Sequence, residues 1–293
     1  MNNFVKGLIA MFVTLLCWAP TEIVGKIVYN SGGSPLLILQ SRYLIATVLL
    51  MIVLFGKKVS PKVARKDWWL VGLSSVSFIT MLLGFWYGLV NVVNIAVAVA
   101  AFFLYPSIFA GLANLFLGEK FTKRTKVSLS LGFTGILFSL GVLPTLSLTG
   151  AVSISTFLVF IGGLGMGGFV RSSSYLIKKY SMPTTLFWTF LITTVVMFLM
   201  RNPSITLQEL SWANLPYLLF IGIFISFVGY FSFVQAIKLL GASVSGIIHG
   251  GRCAFSVLFA YLVLHQVPTL GQIIGVLLVS LSIYVLGGNK GNA

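Results

Sequence analysis

The chain is 293 residues long, 58% hydrophobic and only 8% charged, with a mean hydropathy of +1.05. A soluble domain carries about 25% charged residues, so a water-soluble fold is excluded. The net charge of +15 does not read as a nucleic-acid footprint, because Lys and Arg gather in short connectors between apolar runs, where they set membrane orientation.

A bilayer core about 30 Å thick needs about 20 residues of helix. That ruler lays down ten spans: Val5–Tyr29, Pro35–Phe55, Trp68–Val90, Ile95–Leu117, Val127–Val142, Ile154–Leu176, Pro183–Met200, Leu215–Ile237, Ser243–Leu264 and Thr269–Leu286. The runs are continuously apolar rather than alternating, which argues against strands. The expected fold is therefore all-α, a polytopic membrane protein of ten transmembrane helices. The first span resembles a signal peptide behind Lys6, but it continues through Thr21 and Glu22 without a small-residue cleavage site and is read as a retained helix. Cys17 and Cys253 both fall inside spans, so neither a disulfide framework nor a metal site is expected, and no cofactor is implied.

Placing the N-terminus in the cytoplasm puts Lys6, the five cations of the 57–66 connector, Lys120, Lys123, Arg124, Lys126, Lys178, Lys179, Lys238 and Lys290 inside. Arg201 alone is left outside. Both termini are accordingly expected on the cytoplasmic side of the inner membrane. Five helices per half make the halves, 1–146 and 147–293, inverted repeats around a central cavity, joined by the uncharged Leu143–Gly150 connector. The chain repeats itself in agreement. The Asn94–Lys126 stretch, an apolar span closing on Gly118-Glu119 and a burst of cations, is answered from Ala242 onward. There Glu119, Lys120, Lys123, Arg124 and Lys126 become Gln266, Val267, Leu270, Gly271 and Ile273 at an offset of 147. Such a loss of charge is what a twin loop on the opposite membrane face requires. Pro35 and Pro183, each opening the second helix of its half, match at an offset of 148.

Three segments of the first half, WAPTEIVGK (18–26), PLLILQSRYLIATVLL (35–50) and YPSIFAGLANLFLGEKFT (105–122), resemble the EamA family of the drug/metabolite transporter superfamily. The closing SVLFAYLVLHQVPTLGQIIGVLLVSLSIYVLG is similar to that family's second repeat. The resemblance implies a ten-helix carrier with a central cavity and a small metabolite as cargo. It also carries over Lys26 and Arg42, because a Lys and an Arg recur at the matching places of the family's first and second helices. Here His249 and Arg252 in the ninth span, and Gln266 in place of the first repeat's Glu, depart from the family pattern.

Ionisable groups inside hydrocarbon cost about 2.5–3.5 kcal/mol each on insertion scales, so each needs a reason. Arg252 lies about 14 Å into the ninth span at 1.5 Å per residue. It is read either as a cavity-facing cation for a cargo carboxylate or phosphate, or as a structural tie to helix-end carbonyls. His249 and Ser245 share its helical face, as does Ser256, and Gly246, Gly250 and Gly251 thin the helix for close packing or a local break. Glu22 and Lys26 are spaced for an ion pair, beside Pro20 and on the same outer side as Arg42. They form either a neutralised cluster or a substrate or proton site. Tyr87, Tyr105, Trp188 and Tyr230, with Trp18 and Trp86, are candidates to stack on a planar cargo; Trp68, Trp69 and Trp212 read as interface anchors. Gly163, Gly165 and Gly168 satisfy GxGxxG by accident, with no preceding strand, and are assigned to helix packing.

The in-span cations Lys26, Arg42, Arg171 and Arg252 outnumber Glu22, which favours cargo with an anionic group. The expected function is a secondary transporter for an amino acid or an anionic or nucleotide-like metabolite, S-adenosylmethionine among the candidates. Alternating access moves the cargo, protons are a candidate coupling ion, and the protein acts as a monomer or homodimer. A lipid or lipid-head-group flippase shares the architecture and is the alternative. An intramembrane hydrolase using Ser245 or Ser256 with His249 is set aside, since no serine stands in a GxSxG setting.

Overall fold

The computed structural model describes residues 2–90, 102, 123–139, 154–252, 255, 261–262 and 267–287. Apart from Phe102, the Ile95–Leu117 span with its Tyr105 lies outside those residues, as do the Glu119-Lys120 knot, the Leu143–Gly150 junction, Cys253, Ser256 and Gln266.

Among the described residues every regular element is helical. In chain order they are α1 Asn3–Trp18, α2 Thr21–Asn30, α3 Pro35–Gly56, α4 Trp68–Val90 after a 3₁₀ turn at Arg65–Asp67, α5 Lys123–Ser139 and α6 Ile154–Lys179. Then follow α7 Met182–Leu199, α8 Pro203–Glu209, α9 Leu215–Phe220, a π-helical stretch Ile221–Val228, α10 Gly229–Leu240, α11 Ala242–His249 and α12 Leu270–Gly287. Among the described residues six stretches are long and apolar enough to cross a membrane: Asn3–Asn30, Pro35–Gly56, Arg65–Gly88, Phe157–Lys179, Met182–Leu199 and Leu215–Leu240. Lys126–Phe138 and Leu270–Ser282 are shorter apolar helices.

Local chemistry explains most boundaries. Pro20 has no N–H to continue the ladder, so α1 stops at Trp18 and α2 restarts at Thr21; the Thr21 hydroxyl donates to the Trp18 carbonyl at 2.6 Å. Ser34 caps α3 by accepting from Leu37 N–H, and Ser181 caps α7 by accepting from Thr184 N–H, each with Pro in the first turn, the arrangement in which Pro loses no hydrogen bond. Asn202 and Pro203 do the same for α8, a short helix inside a connector. Lys123, Arg124 and Lys126 lie within α5 and are exposed.

The chain forms two compact units, residues 3–79 with 168–239, and residues 80–167 with 240–293. In the first unit α3 packs on α7 and on the π-helical stretch. Lipid supplies no hydrophobic drive between helices, so close contact and buried polar pairs must hold them. Thr47 and Thr194 hydroxyls hydrogen-bond at 3.2 Å, Ser74 and Thr189 do so at 3.2 Å, and Gln40 Nε2 donates to the Met197 carbonyl at 2.9 Å. As the α3 position falls from 47 to 40 its partner rises from 194 to 197, so α3 and α7 run antiparallel. Tyr43, Phe78, Phe169 and Phe190 are fully buried with Tyr230 beside them. They meet edge-on or tilted at centroid distances from 4.8 to 5.5 Å, the geometry aromatic quadrupoles favour.

The two ends of this unit differ. At one end Arg201 pairs bidentately with Glu209, and the Ser34 hydroxyl and N–H also donate to that carboxylate; Thr206 donates to Gln40 Oε1 nearby. The Arg201 guanidinium holds the Glu209 carboxyl down from 4.5 to about 2, against the opposing effect of desolvation. A carboxyl whose folded value is depressed contributes stability that is complete above its unfolded value and lost as pH falls through the folded one. We therefore expect the thermal stability gap between wild type and Glu209→Gln to be full at neutral pH. It should narrow from about pH 4.5 and vanish as pH falls through about 2. Unfolding in detergent across that range reads the gap, and a pH-independent gap would contradict the assignment.

In the second unit α5 and α12 pack along their length, and α11 touches both. Ser128 Oγ donates to the Ser282 carbonyl at 2.8 Å and Ser282 Oγ returns a bond to the Ser128 carbonyl at 2.7 Å. Seven residues on, Gly135 lies against Gly275 so closely that a Cβ would stand 2.8 Å from the Gly275 carbonyl oxygen. The partner falls from 282 to 275 as α5 advances, so this pair is antiparallel as well.

Candidate functional site

Two groups of polar side chains gather around arginines, one in each unit. In the first unit α3 carries Arg42, which is 3% exposed. Its Nε donates to Ser226 Oγ at 2.7 Å, and its guanidinium carbon stands 5.0 Å from the centroid of the Tyr43 ring. The phenols of Tyr29 and Tyr43 are within electrostatic reach. No carboxylate pairs with Arg42 among the described residues. An arginine fork can engage a carboxylate or phosphate bidentately, and the bond through Nε to Ser226 leaves both terminal nitrogens to do so.

Ser226 is held by the π-helical stretch, where i→i+5 bonding widens the turn. Tertiary partners meet that turn: Trp18 Nε1 donates to the Ile225 carbonyl at 2.9 Å, and the Thr14 hydroxyl reaches the Gly229 carbonyl at 3.4 Å. Trp18 fits because residue 229 is glycine; a Cβ there would stand 2.5 Å from the indole nitrogen. Sequence reasoning gave Ser226 no role, since a serine in an apolar run has no local signature. Gly222 and Gly229, bracketing the widened turn, were the available signal.

In the second unit α11 ends at His249, which is 1% exposed, and Gly250 and Gly251 turn back onto the Ile247 and Ile248 carbonyls at 3.1 and 2.8 Å. The helix therefore breaks immediately before Arg252. Arg252 is half-buried, with its guanidinium carbon 6.0 Å from the Phe85 ring centroid, in range of a cation–π contact. Phe85 in turn meets Phe102 at 5.1 Å and Trp86 at 6.2 Å. His249 and Arg252 are electrostatic neighbours. Ser245 is fully buried, and its hydroxyl has no hydrogen-bond partner among the described residues.

The remaining sequence candidates are distributed as follows. Glu22 and Lys26 sit in α2, with side chains outside the described set. Tyr87 is on α4 and 40% exposed. Tyr230 is packed among Trp18, Phe78, Phe169 and Phe190. Trp188 donates to the Pro61 carbonyl at 2.7 Å and meets Trp68 edge-on at 4.8 Å, which places it beside the 57–67 connector. Arg171 bonds the Tyr175 hydroxyl at 2.8 Å on its own helix. Among the described residues no group of His, Cys, Asp or Glu is arranged to hold a metal ion.

No curated protein matches the chain. Among 28 matching chains of solved structures, one described as a "crystal structure of protein" superposes with a TM-score of 0.75 over 97% of this chain and 96% of its own, at 13% identity; the likeness is one of fold. The model of the EamA-like transporter family matches residues 5–141 and again residues 153–288. With two copies of that pattern covering nearly its whole length, the chain is a multi-pass membrane protein belonging to the EamA-like transporter family.

Proposed function

We propose that this protein is a secondary transporter that moves a small organic metabolite bearing an anionic group across the cytoplasmic membrane by alternating access. The cargo class is an amino acid or a phosphorylated or nucleotide-like metabolite, S-adenosylmethionine included, and protons are the candidate coupling ion. The observation that carries the reading is Arg42: a guanidinium 3% exposed inside an apolar helix, fixed through Nε by Ser226. A cation in hydrocarbon is tolerated where it has a partner or lines a functional path. In the second unit, Arg252 at the break after His249 is a separate candidate for contact with an anionic cargo.

Ten spans arranged as two inverted five-helix repeats, 1–146 and 147–293, with both termini in the cytoplasm, complete the proposal. The antiparallel pairs α3–α7 and α5–α12 support it, since each joins corresponding helices of the two halves.

The test is uptake of labelled amino acids, nucleotides and S-adenosylmethionine into vesicles containing the purified protein in known orientation. For the cargo found, Arg252→Ala is expected to lower uptake about tenfold or more, the loss of one charge-assisted contact, with folded yield retained. If movement requires an acyl chain on the cargo, the protein is a lipid translocator instead.

A further inference from the structure

The connector between α3 and α4 holds Lys57, Lys58, Lys62, Arg65 and Lys66. Cations in a connector need no further role than orienting the chain, and a mobile loop would serve for that. This one is fixed. Asp67 accepts from Lys179 Nζ at 2.6 Å and from the Tyr180 hydroxyl at 2.7 Å. Tyr180 accepts from Ala64 N–H at 3.1 Å, Thr184 donates to the Ser60 carbonyl at 2.9 Å, and Trp188 donates to the Pro61 carbonyl at 2.7 Å. Lys58 is held at a φ of 51°, the one positive value at a non-glycine among the described residues, a conformation side chains adopt where the surroundings dictate it.

The same bonds decide the charge of the surface. Asp67 is taken up by Lys179, and none of the five connector cations makes an ion pair among the described residues. All five are exposed, and Lys178 adds a sixth exposed cation from the end of α6. Directly after them Trp68 and Trp69 open α4, with Trp69 64% exposed, and indoles at a span terminus sit at head-group depth. A fixed, uncompensated set of cations next to exposed indoles has its charge at the height of lipid phosphates and its apolar edge at the start of the acyl region. A soluble anion has no use for that edge.

We propose that the 57–66 connector, with Trp68 and Trp69, is a binding surface for anionic phospholipid head groups, preorganised by Asp67. The lysines act as point charges on phosphate oxygens and Arg65 as a fork. This does not depend on which cargo the protein carries.

The test uses the full-length protein carrying Trp212→Phe, which removes an exposed indole remote in sequence from the connector, in vesicles containing equal mole fractions of brominated phosphatidylglycerol or brominated phosphatidylcholine. Brominated phosphatidylglycerol is expected to quench tryptophan fluorescence more strongly, with the preference shrinking as salt rises. Replacing the five cations together by Gln is expected to bring the quenching ratio to unity. Asp67→Asn leaves every connector cation in place and adds one net positive charge, yet is expected to reduce the preference because the connector loses its anchor. Equal quenching of wild type by the two lipids overturns the proposal. So does a preference that persists in the neutralised protein, or one that grows in Asp67→Asn and thereby reports bulk charge alone. Should the neutralised protein fail to fold, the salt series and Asp67→Asn still decide.

Discussion

Arg42→Ala is expected to reduce uptake roughly 100-fold or more, since a hydrogen-bonded charge pair lost from a buried site is worth about 3 kcal/mol and each 1.4 kcal/mol is tenfold. The accompanying stability change separates cargo contact from scaffold. If Arg42 serves cargo, deleting it removes a charge whose insertion cost is about 2.5–3.5 kcal/mol, leaving only Ser226 to find a new partner, so folded yield should hold or rise. If it serves structure, yield and uptake should fall together. Arg42→Lys sharpens the comparison. It retains the charge but has no Nε to hold Ser226 and no fork, so its uptake should lie close to that of Arg42→Ala; uptake near wild type would show that a point charge suffices and would remove Ser226 from the account. The measurement is initial uptake per folded protein in sealed vesicles.

The second large effect is expected at Gly84. A Cβ on this residue would stand 2.5 Å from the Leu158 carbonyl oxygen, 2.6 Å from Gly162 N and 2.8 Å from Gly162 Cα. Those are backbone atoms on α6, so no side chain can rotate away. The helices must separate, and overpacking of this kind costs about 1–3 kcal/mol. Gly162 faces the same constraint in return, with Phe85 N 2.8 Å from its own added Cβ. Gly84→Ala should therefore lower the unfolding temperature in detergent clearly, whereas Gly72→Ala, on the same helix with nothing within 4 Å, should leave it unchanged. Equal behaviour of the two variants would mean that α4 and α6 do not depend on this approach.

Where the fold is written in local chemistry, the sequence is readable. Apolar runs of bilayer length, Ser34-Pro35 and Ser181 with Pro183 at helix starts, and Pro20 as a break all fall where chain-local rules place them. Cations mark the connectors for the same reason, although Lys123, Arg124 and Lys126 lie within α5. What escaped depends on partners distant in sequence. The widened turn at Ile221–Val228 is met by the indole of Trp18, 207 residues away from Ile225, and nothing in IGIFISFV announces it. Ser226 is silent until Arg42 arrives from another helix. Trp188 reads as one aromatic among many in an apolar helix; only its bond to Pro61 puts it beside a connector. The short helix α8 is written in the same local chemistry, since Asn202-Pro203 is a start signal of the same kind as Ser34-Pro35.

Thr47 and Thr194 lie 147 residues apart, the interval separating the halves of the chain, so each bonds to its own counterpart. On the proposed inverted arrangement a dyad passes between them, as in a dimer whose two copies have since been joined. Before joining, any change at such a seam would strike both sides at once; afterwards each side can drift alone. The proposal would place such drift along α5 and α12, where at the same interval Ser128 corresponds to Gly275 and Gly135 to Ser282. One end of this seam is clasped by reciprocal serine bonds while its image is held by bare backbone approach. On the same proposal, opening the clasped end breaks two hydrogen bonds that its image does not have, and the two faces of the protein answer to different contacts.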